Sequence, residues 1–242
     1  MVFTDPFRFH PELADQITPA EASNLRDMST ERLAELVKEH GLTTGWWLTD
    51  EEREADRAAA LATLPEGDIW VFAYGSLMWN PAIHFDTVRR ASVPDHARRF
   101  ILKDIHGGRG TVEQPGLMAA LDYGDGCDGL VFRIPAAQVA EETEVLWRRE
   151  RIGPAYIPRC VTADLSDTSV EALTFVADHN AELIDNEITR ADQIKFLATG
   201  TGFLGTSRAY LENIASHFDG LGIHDEEVTR LLEDLDGWTG SS

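Results

Sequence analysis

Two short stretches of the chain hold side chains that could do chemistry. Tyr74-Gly75-Ser76-Leu77 sets a glycine beside a hydroxyl straight after an apolar run, and Trp147-Arg148-Arg149-Glu150-Arg151 sets one carboxylate among three arginines. A glycine lets backbone turn sharply and come close to a ligand. The amides of Gly75, Ser76 and Leu77, with the Ser76 hydroxyl, could then converge on a carboxylate or a developing oxyanion. On residue types alone an ordinary strand-ending turn is the favoured reading, because short glycine motifs match by chance. Ser76 has no G-x-S-x-G elbow around it and no ordered His and Asp partners, which argues against a serine nucleophile.

Glu150 falls late in a stretch with helical spacing. Taken alone, the stretch reads as a solvated charged helix with i,i+4 pairing. Leu146 and Trp147 before Glu150 and Tyr156 after it give it the apolar company that a proton-transferring carboxyl group needs. Glu141 lies nine residues earlier, two and a half turns away, and so on the opposite side of an ideal helix. The two acids share a site only if the helix ends or bends between them, or if Glu141 reaches over a rim.

The elements that must position these groups follow from periodicity. Residues 1–66 read as an N-terminal helical extension and 67–242 as the main domain. Thr30 as a cap with Leu33, Leu36 and Val37 marks one helix, and Asp50 through Leu64 a second. Pro65-Glu66-Gly67-Asp68 then breaks the pattern. Strands are expected at Ile69–Tyr74, Arg98–Lys103, Leu117–Tyr123, Gly129–Ile134, Ile157–Asp164 and Val170–Ala177. A helix is expected from Ala136 to Arg151, with further helices at Ala191–Thr199, Ser207–Phe218 and Asp225–Leu235. Clustered strands with helices at both ends argue for an α+β fold.

Composition narrows the partners. Acidic residues outnumber basic ones 42 to 21, a net charge of −21, and such a surface repels phosphate backbones and anionic lipid. Nucleic acid and membrane are therefore not expected partners. No apolar run reaches the roughly 20 residues of a membrane span, and Met1 to His10 lacks the pattern of a secretory leader. Two cysteines, Cys127 and Cys160, are too few for a disulfide framework and read as small buried strand residues in a reducing cytoplasm. The eight histidines show no H-x-H or H-E-x-x-H spacing, and His106 beside Gly107-Gly108 reads as loop, so no metal is expected.

Together these pieces resemble the ChaC family of glutathione-specific γ-glutamylcyclotransferases. The likeness starts at Trp70 with W-V-F-A-Y-G-S-L-M-W-N-P and runs through Arg109-Gly110-Thr111, Gln114-Pro115-Gly116 and Gly129 to Pro135. It continues through Leu146 to Glu150, Tyr156-Ile157-Pro158, Gly202 to Thr206, and Ala209-Tyr210-Leu211. It spans about two-thirds of the chain, with motifs in the family order. The resemblance implies a mixed-strand, barrel-like fold with flanking helices and a substrate cavity over the Y-G-S-L loop. By the same resemblance, Ala73, Tyr74, Gly75, Ser76 and Leu77 hold the γ-glutamyl group, and Glu150 is the essential acid. Glu141, Tyr156 and Tyr210 stand at further site positions. Phe132 departs from the family pattern where many relatives carry tyrosine, and Gly153-Pro154-Ala155 departs in the link after the acid.

The implied chemistry needs no nucleophile from the protein. The α-amine of a γ-glutamyl peptide reaches its own γ-carbonyl by closing a five-membered ring. The enzyme folds the chain into that shape and moves protons, a task for Glu150. Glutathione would give 5-oxoproline and Cys-Gly, with no cofactor. Two alternatives are a same-fold cyclotransferase for other γ-glutamyl amines and a non-catalytic γ-glutamyl-binding module.

Overall fold

The continuous apolar run Ile69–Ala73 becomes β1, a strand covered on both faces, which is why it reads without alternation. In the computed structural model, which describes residues 5–240, six more strands join it: β2 (Thr87–Val93), β3 (His96–His106), β4 (Thr111–Tyr123), β5 (Cys127–Ile134), β6 (Tyr156–Asp164) and β7 (Ser169–Ala177). Residues 1–4, at the head of the stretch read for a leader, and residues 241–242 lie outside the described part. The sheet order is β1-β5-β2-β6-β7-β4-β3. A parallel pairing of β1 with β7, Trp70 opposite Ala172 and Val71 opposite Leu173, closes the first five strands into a barrel. The long antiparallel hairpin of β3 and β4 leans off β7 through Leu121 and Val176.

Alternate residues of β1 serve two cores. Phe72, and Tyr74 just past the strand, point into the barrel with Val131, Val161, Ala172 and Cys127. Val71 and Ala73 face outward onto a larger cluster with Leu130, Phe132 and Phe175. Helices cover that outer cluster. Helix α3 (Val139–Glu150) contributes Val145, Leu146 and Trp147, and the Trp147 ring meets Phe175 edge-on at 5.1 Å. The carboxy-terminal helices α4 (Arg190–Thr199), α5 (Ser207–Leu221) and α6 (Glu226–Asp236) add Leu197, Leu211, Ile214 and Leu231. A short hairpin, β8 (Thr201–Gly202) with β9 (Gly205–Thr206), joins α4 to α5.

Residues 5–66 are wound onto the barrel and the helices that cover it. Helix α1 (Thr30–Glu39) is capped by Ser29, one residue before the expected Thr30, and α2 (Asp50–Leu61) by a reciprocal Thr49–Glu52 capping box. Asp56 of α2 accepts from Trp147 Nε1 at 2.7 Å and from Arg151 Nε at 2.9 Å, while Arg57 donates to Thr143 Oγ1 at 2.9 Å. Arg26 donates to both oxygens of Glu142, at 2.7 and 3.0 Å, and Glu142 is fully buried. A buried charge needs such a partner. Three separate points of the amino-terminal segment therefore grip the helix that carries Glu150.

Two expectations need correction. Strand β2 was unanticipated, because Arg89 and Arg90 sit at its centre. Their charges are met from outside the sheet: Arg89 lies over the Phe9 ring and pairs with Asp167, and Arg90 pairs with Glu12. Cys160 is exposed, not buried; on β6 it shares the outward face with Thr162 while Val161 and Ala163 point inward. Cys127 is buried as expected, and both thiols are free.

Candidate active site

Helix α3 ends at Glu150, because Arg151 leaves helical geometry at φ −108° and ψ 41°. That stop leaves the Glu150 side chain mostly buried, 15% exposed, beside Arg149 at 6%. Arg149 Nε donates to Glu150 Oε1 at 2.7 Å, Nη2 donates to Ser76 Oγ at 3.2 Å, and Nη1 donates to the Asn80 carbonyl. One planar guanidinium thus ties the acid to the Y-G-S-L loop, a three-way job that suits arginine.

The loop leaves β1 at Ala73, a fully buried residue paired with Leu130. Ser76–Met78 forms a single 3-10 turn, with Met78 N–H donating to the Gly75 carbonyl and Asn80 N–H to that of Ser76, both at 2.9 Å. Gly75 has φ −133° and ψ −139°, and the chain turns straight after it, at Ser76–Met78. A Cβ added there would meet no atom within 4 Å. Neither conformation nor protein packing demands glycine at this position, and the space before it is left unfilled. Leu77 anchors the turn in the outer core.

Three tyrosines gather behind the acid. The Tyr156 hydroxyl donates to the Ala119 carbonyl at 2.9 Å, and the Tyr210 hydroxyl accepts from the Ala119 N–H at 3.4 Å, so two phenols are fixed on one residue of β4. The Tyr74 carbonyl accepts from Arg98 Nε at 2.6 Å. Burial pushes the Tyr74 phenol well up, and the nearby Glu150 charge adds to this. Burial does the same at Tyr156, helped by its tyrosine neighbours and Glu150. Burial also raises Tyr210, against its Ala119 hydrogen bond and the Arg109 guanidinium 4.8 Å above its ring. All three are neutral phenols near pH 7, able to orient a ligand and unfit to act as bases.

A cavity of about 200 Å³ opens onto this group. Glu150, Arg149 and Tyr156 line it, with Met118 and Leu102 from the hairpin strands and Phe203 from the β8–β9 turn. Tyr74 to Leu77 and Tyr210 stand behind that lining rather than on it. Leu33 and Trp46 of the amino-terminal segment lie on the wall, a contribution absent from the sequence-based site. Arg149 was also unforeseen in this role, since one arginine of three on a helix gives no hint of which faces inward.

Glu141 is not brought to the cavity. Helix α3 runs unbroken past it, and its side chain is 72% exposed and paired with Arg26 at 3.0 Å. His106 ends β3 and stacks its ring on Trp46 at 4.4 Å. Among the described residues no group of three or more His, Cys, Asp or Glu is placed to hold a metal ion, and no helix is long and apolar enough to cross a membrane.

Comparison with known proteins bears on the same region. The family model for ChaC-like protein matches residues 69–236. The glutathione-specific gamma-glutamylcyclotransferase of Escherichia coli K12 is 38% identical over 185 residues, covering 75% of this chain and 79% of that protein. The protein of the same name from Schizosaccharomyces pombe is 30% identical over 172 residues, covering 62% of this chain and 83% of that one. A crystal structure of the yeast γ-glutamyl cyclotransferase specific to glutathione superposes with a TM-score of 0.64 at 22% identity, over 72% of this chain and 98% of that one, which is a likeness of fold. With the motifs of the Y-G-S-L loop and of Glu150 inside the matched span, the chain belongs to the ChaC-like family.

Proposed function

We propose that this chain is a glutathione-specific γ-glutamylcyclotransferase, a lyase that releases 5-oxoproline and Cys-Gly. The observation that supports the reading is the Arg149 bridge, which ties Glu150 on the cavity wall to Ser76 of the Y-G-S-L loop behind it. The relatives named above carry that activity in their names, and the chain aligns with most of their length.

The α-amino nitrogen of the glutamyl residue attacks its γ-carbonyl carbon, the amide bond to cysteine breaks, and the five-membered lactam closes. No water enters, so the two products together have the atoms of the substrate. Glu150 accepts the proton that the attacking amine loses and delivers it to the departing cysteinyl nitrogen. The open space before Gly75 admits the glutamyl end, and the loop amides with Ser76 hold its carboxylate or the developing oxyanion. Tyr156 lines the cavity as a neutral hydrogen-bonding group, with Tyr210 behind it fixed on the same Ala119. Ala73 and Leu77 keep the loop in place. Residues 67–242 hold all these groups, and residues 1–66 serve them from outside the catalytic domain. No cofactor takes part.

The proposal includes a cytoplasmic setting, in keeping with two free thiols. The experiment is to incubate the purified chain with glutathione and follow both products. Equal amounts of 5-oxoproline and Cys-Gly are expected, with much slower turnover of γ-glutamyl-alanine. Release of free glutamate, or faster turnover of other γ-glutamyl amines, would replace this reading with hydrolysis or with a different substrate.

A further inference from the structure

We propose that Trp46, from the segment before the catalytic domain, is a specificity-determining residue that binds the cysteinyl-glycine half of the substrate; this rests on the activity proposed above. Trp46 lines the same cavity as Glu150. Its ring stacks on His106 with planes 3° apart, and its edge lies 3.6 Å from where a Cβ on Gly153 would stand, three residues past Glu150. Its indole Nε1 is buried and has no hydrogen-bond partner. A buried donor left without an acceptor is costly, and indole N–H groups normally find a partner when buried.

The segment that carries Trp46 is held against the cavity. Leu48 N–H donates to the Ile152 carbonyl at 2.8 Å, just past the acid. Upstream, Leu42 sits against Gly107 so closely that a Cβ there would overlap it, and the His40 ring meets Phe203 at 5.2 Å. The chain from α1 to α2 therefore crosses the β3–β4 and β8–β9 turns and closes over the cavity, with Leu33 as a second apolar contact.

With the γ-glutamyl end assigned to the loop and Glu150, the leaving half must lie along the remaining wall. That wall is mostly apolar, with Leu33, Trp46, Met118, Ile152 and Phe203 beside the polar Lys103, Asp104 and His106, and its apolar part suits a cysteine side chain. The Cys-Gly backbone carries the carbonyl and carboxylate oxygens that the Trp46 N–H lacks. Binding of this kind is made in the ground state and the transition state alike, so it acts on KM more than on kcat.

The test is steady-state kinetics of the full-length Trp46→Phe enzyme, which keeps a ring on His106 and loses the donor. KM for glutathione should rise roughly 5- to 20-fold, the worth of one hydrogen bond, with kcat within about twofold. KM does not depend on the folded fraction, so partial unfolding cannot imitate this result. Added Cys-Gly should inhibit the variant less than the wild type, while inhibition by 5-oxoproline stays the same. An unchanged KM, a fall in kcat alone, or weakened inhibition by 5-oxoproline in place of Cys-Gly overturns the assignment of Trp46. A wild-type chain inactive on glutathione overturns the activity reading itself, and with it this inference, before any variant is compared.

Discussion

Replacing Arg149 by methionine keeps an extended apolar stem and removes the guanidinium that joins Glu150 to Ser76 and Asn80. The two charged partners are 6% and 15% exposed, so solvent screens them little. Removing one partner of a buried pair costs about 3–5 kcal/mol. The lower end applies, because Glu150 keeps some contact with water. For a chain of this size a loss of about 3 kcal/mol lowers Tm by roughly 6–12 °C. Activity should fall separately, since a catalytic group displaced by about 1 Å can lose about 10²-fold. Glu150→Gln is nearly isosteric and its amide oxygen can still accept from Arg149, so it should lose ~10²–10⁴-fold in kcat with a smaller loss of stability than Arg149→Met. The deciding assay is the double variant. If Arg149 acts on turnover through Glu150, the two losses in kcat do not multiply, because the second change removes a group already useless. Losses that multiply fully, or an Arg149→Met enzyme within twofold of wild-type kcat, would refute the reasoning.

Gly75→Ala adds a methyl group where the protein leaves open space at a negative φ; it should melt no lower than wild type yet raise KM for glutathione at least tenfold, and an unchanged KM would show that the space is not the substrate's. His84 lies 2.7 Å from Glu142 and 2.8 Å from Glu21; burial lowers its affinity for protons, but these carboxylates outweigh burial and hold it above the ordinary 6.5. The stability it adds is complete below pH 6.5 and disappears as pH rises through the elevated value, so urea midpoints at pH 6 and pH 8 should differ more in wild type than in His84→Gln. Equal differences in the two proteins would count against a charged His84 held by Glu142 and Glu21. Iodoacetamide should modify exposed Cys160 well before Cys127, whose thiol burial pushes up to about 11, and turnover should survive the modification; inactivation in step with alkylation would contradict a thiol-free mechanism.

How much could be read beforehand depended on how local each feature is. Strand β1 and helix α3 were legible because their residues carry one unbroken pattern each; the Y-G-S-L loop and Glu150 stood out through the family resemblance, since taken alone they suit an ordinary turn and a solvated helix. Strand β2 was not, since Arg89 and Arg90 become strand residues only once Phe9, Glu12 and Asp167 arrive to meet them. Glu141 and Glu142 look alike in the sequence. Yet Glu142 is fully buried against Arg26, 116 residues away, while Glu141 stays at the surface. The same distance hid Trp46, whose partner His106 and neighbour Gly153 belong to other elements. Helical periodicity reports which side of a helix is apolar, but not which distant polar group comes to its opposite side.

The claim that the substrate supplies its own nucleophile is tested most directly by product identity in heavy-oxygen water. Glutathione and N-acetylglutathione are run side by side with the wild-type enzyme. The account predicts 5-oxoproline from glutathione with no label in the γ-carbonyl at early times. It predicts no cleavage of the acetylated compound, whose nitrogen lone pair is delocalised into the new amide. Early label in a glutamate side-chain carboxylate, or release of acetylglutamate, would contradict it.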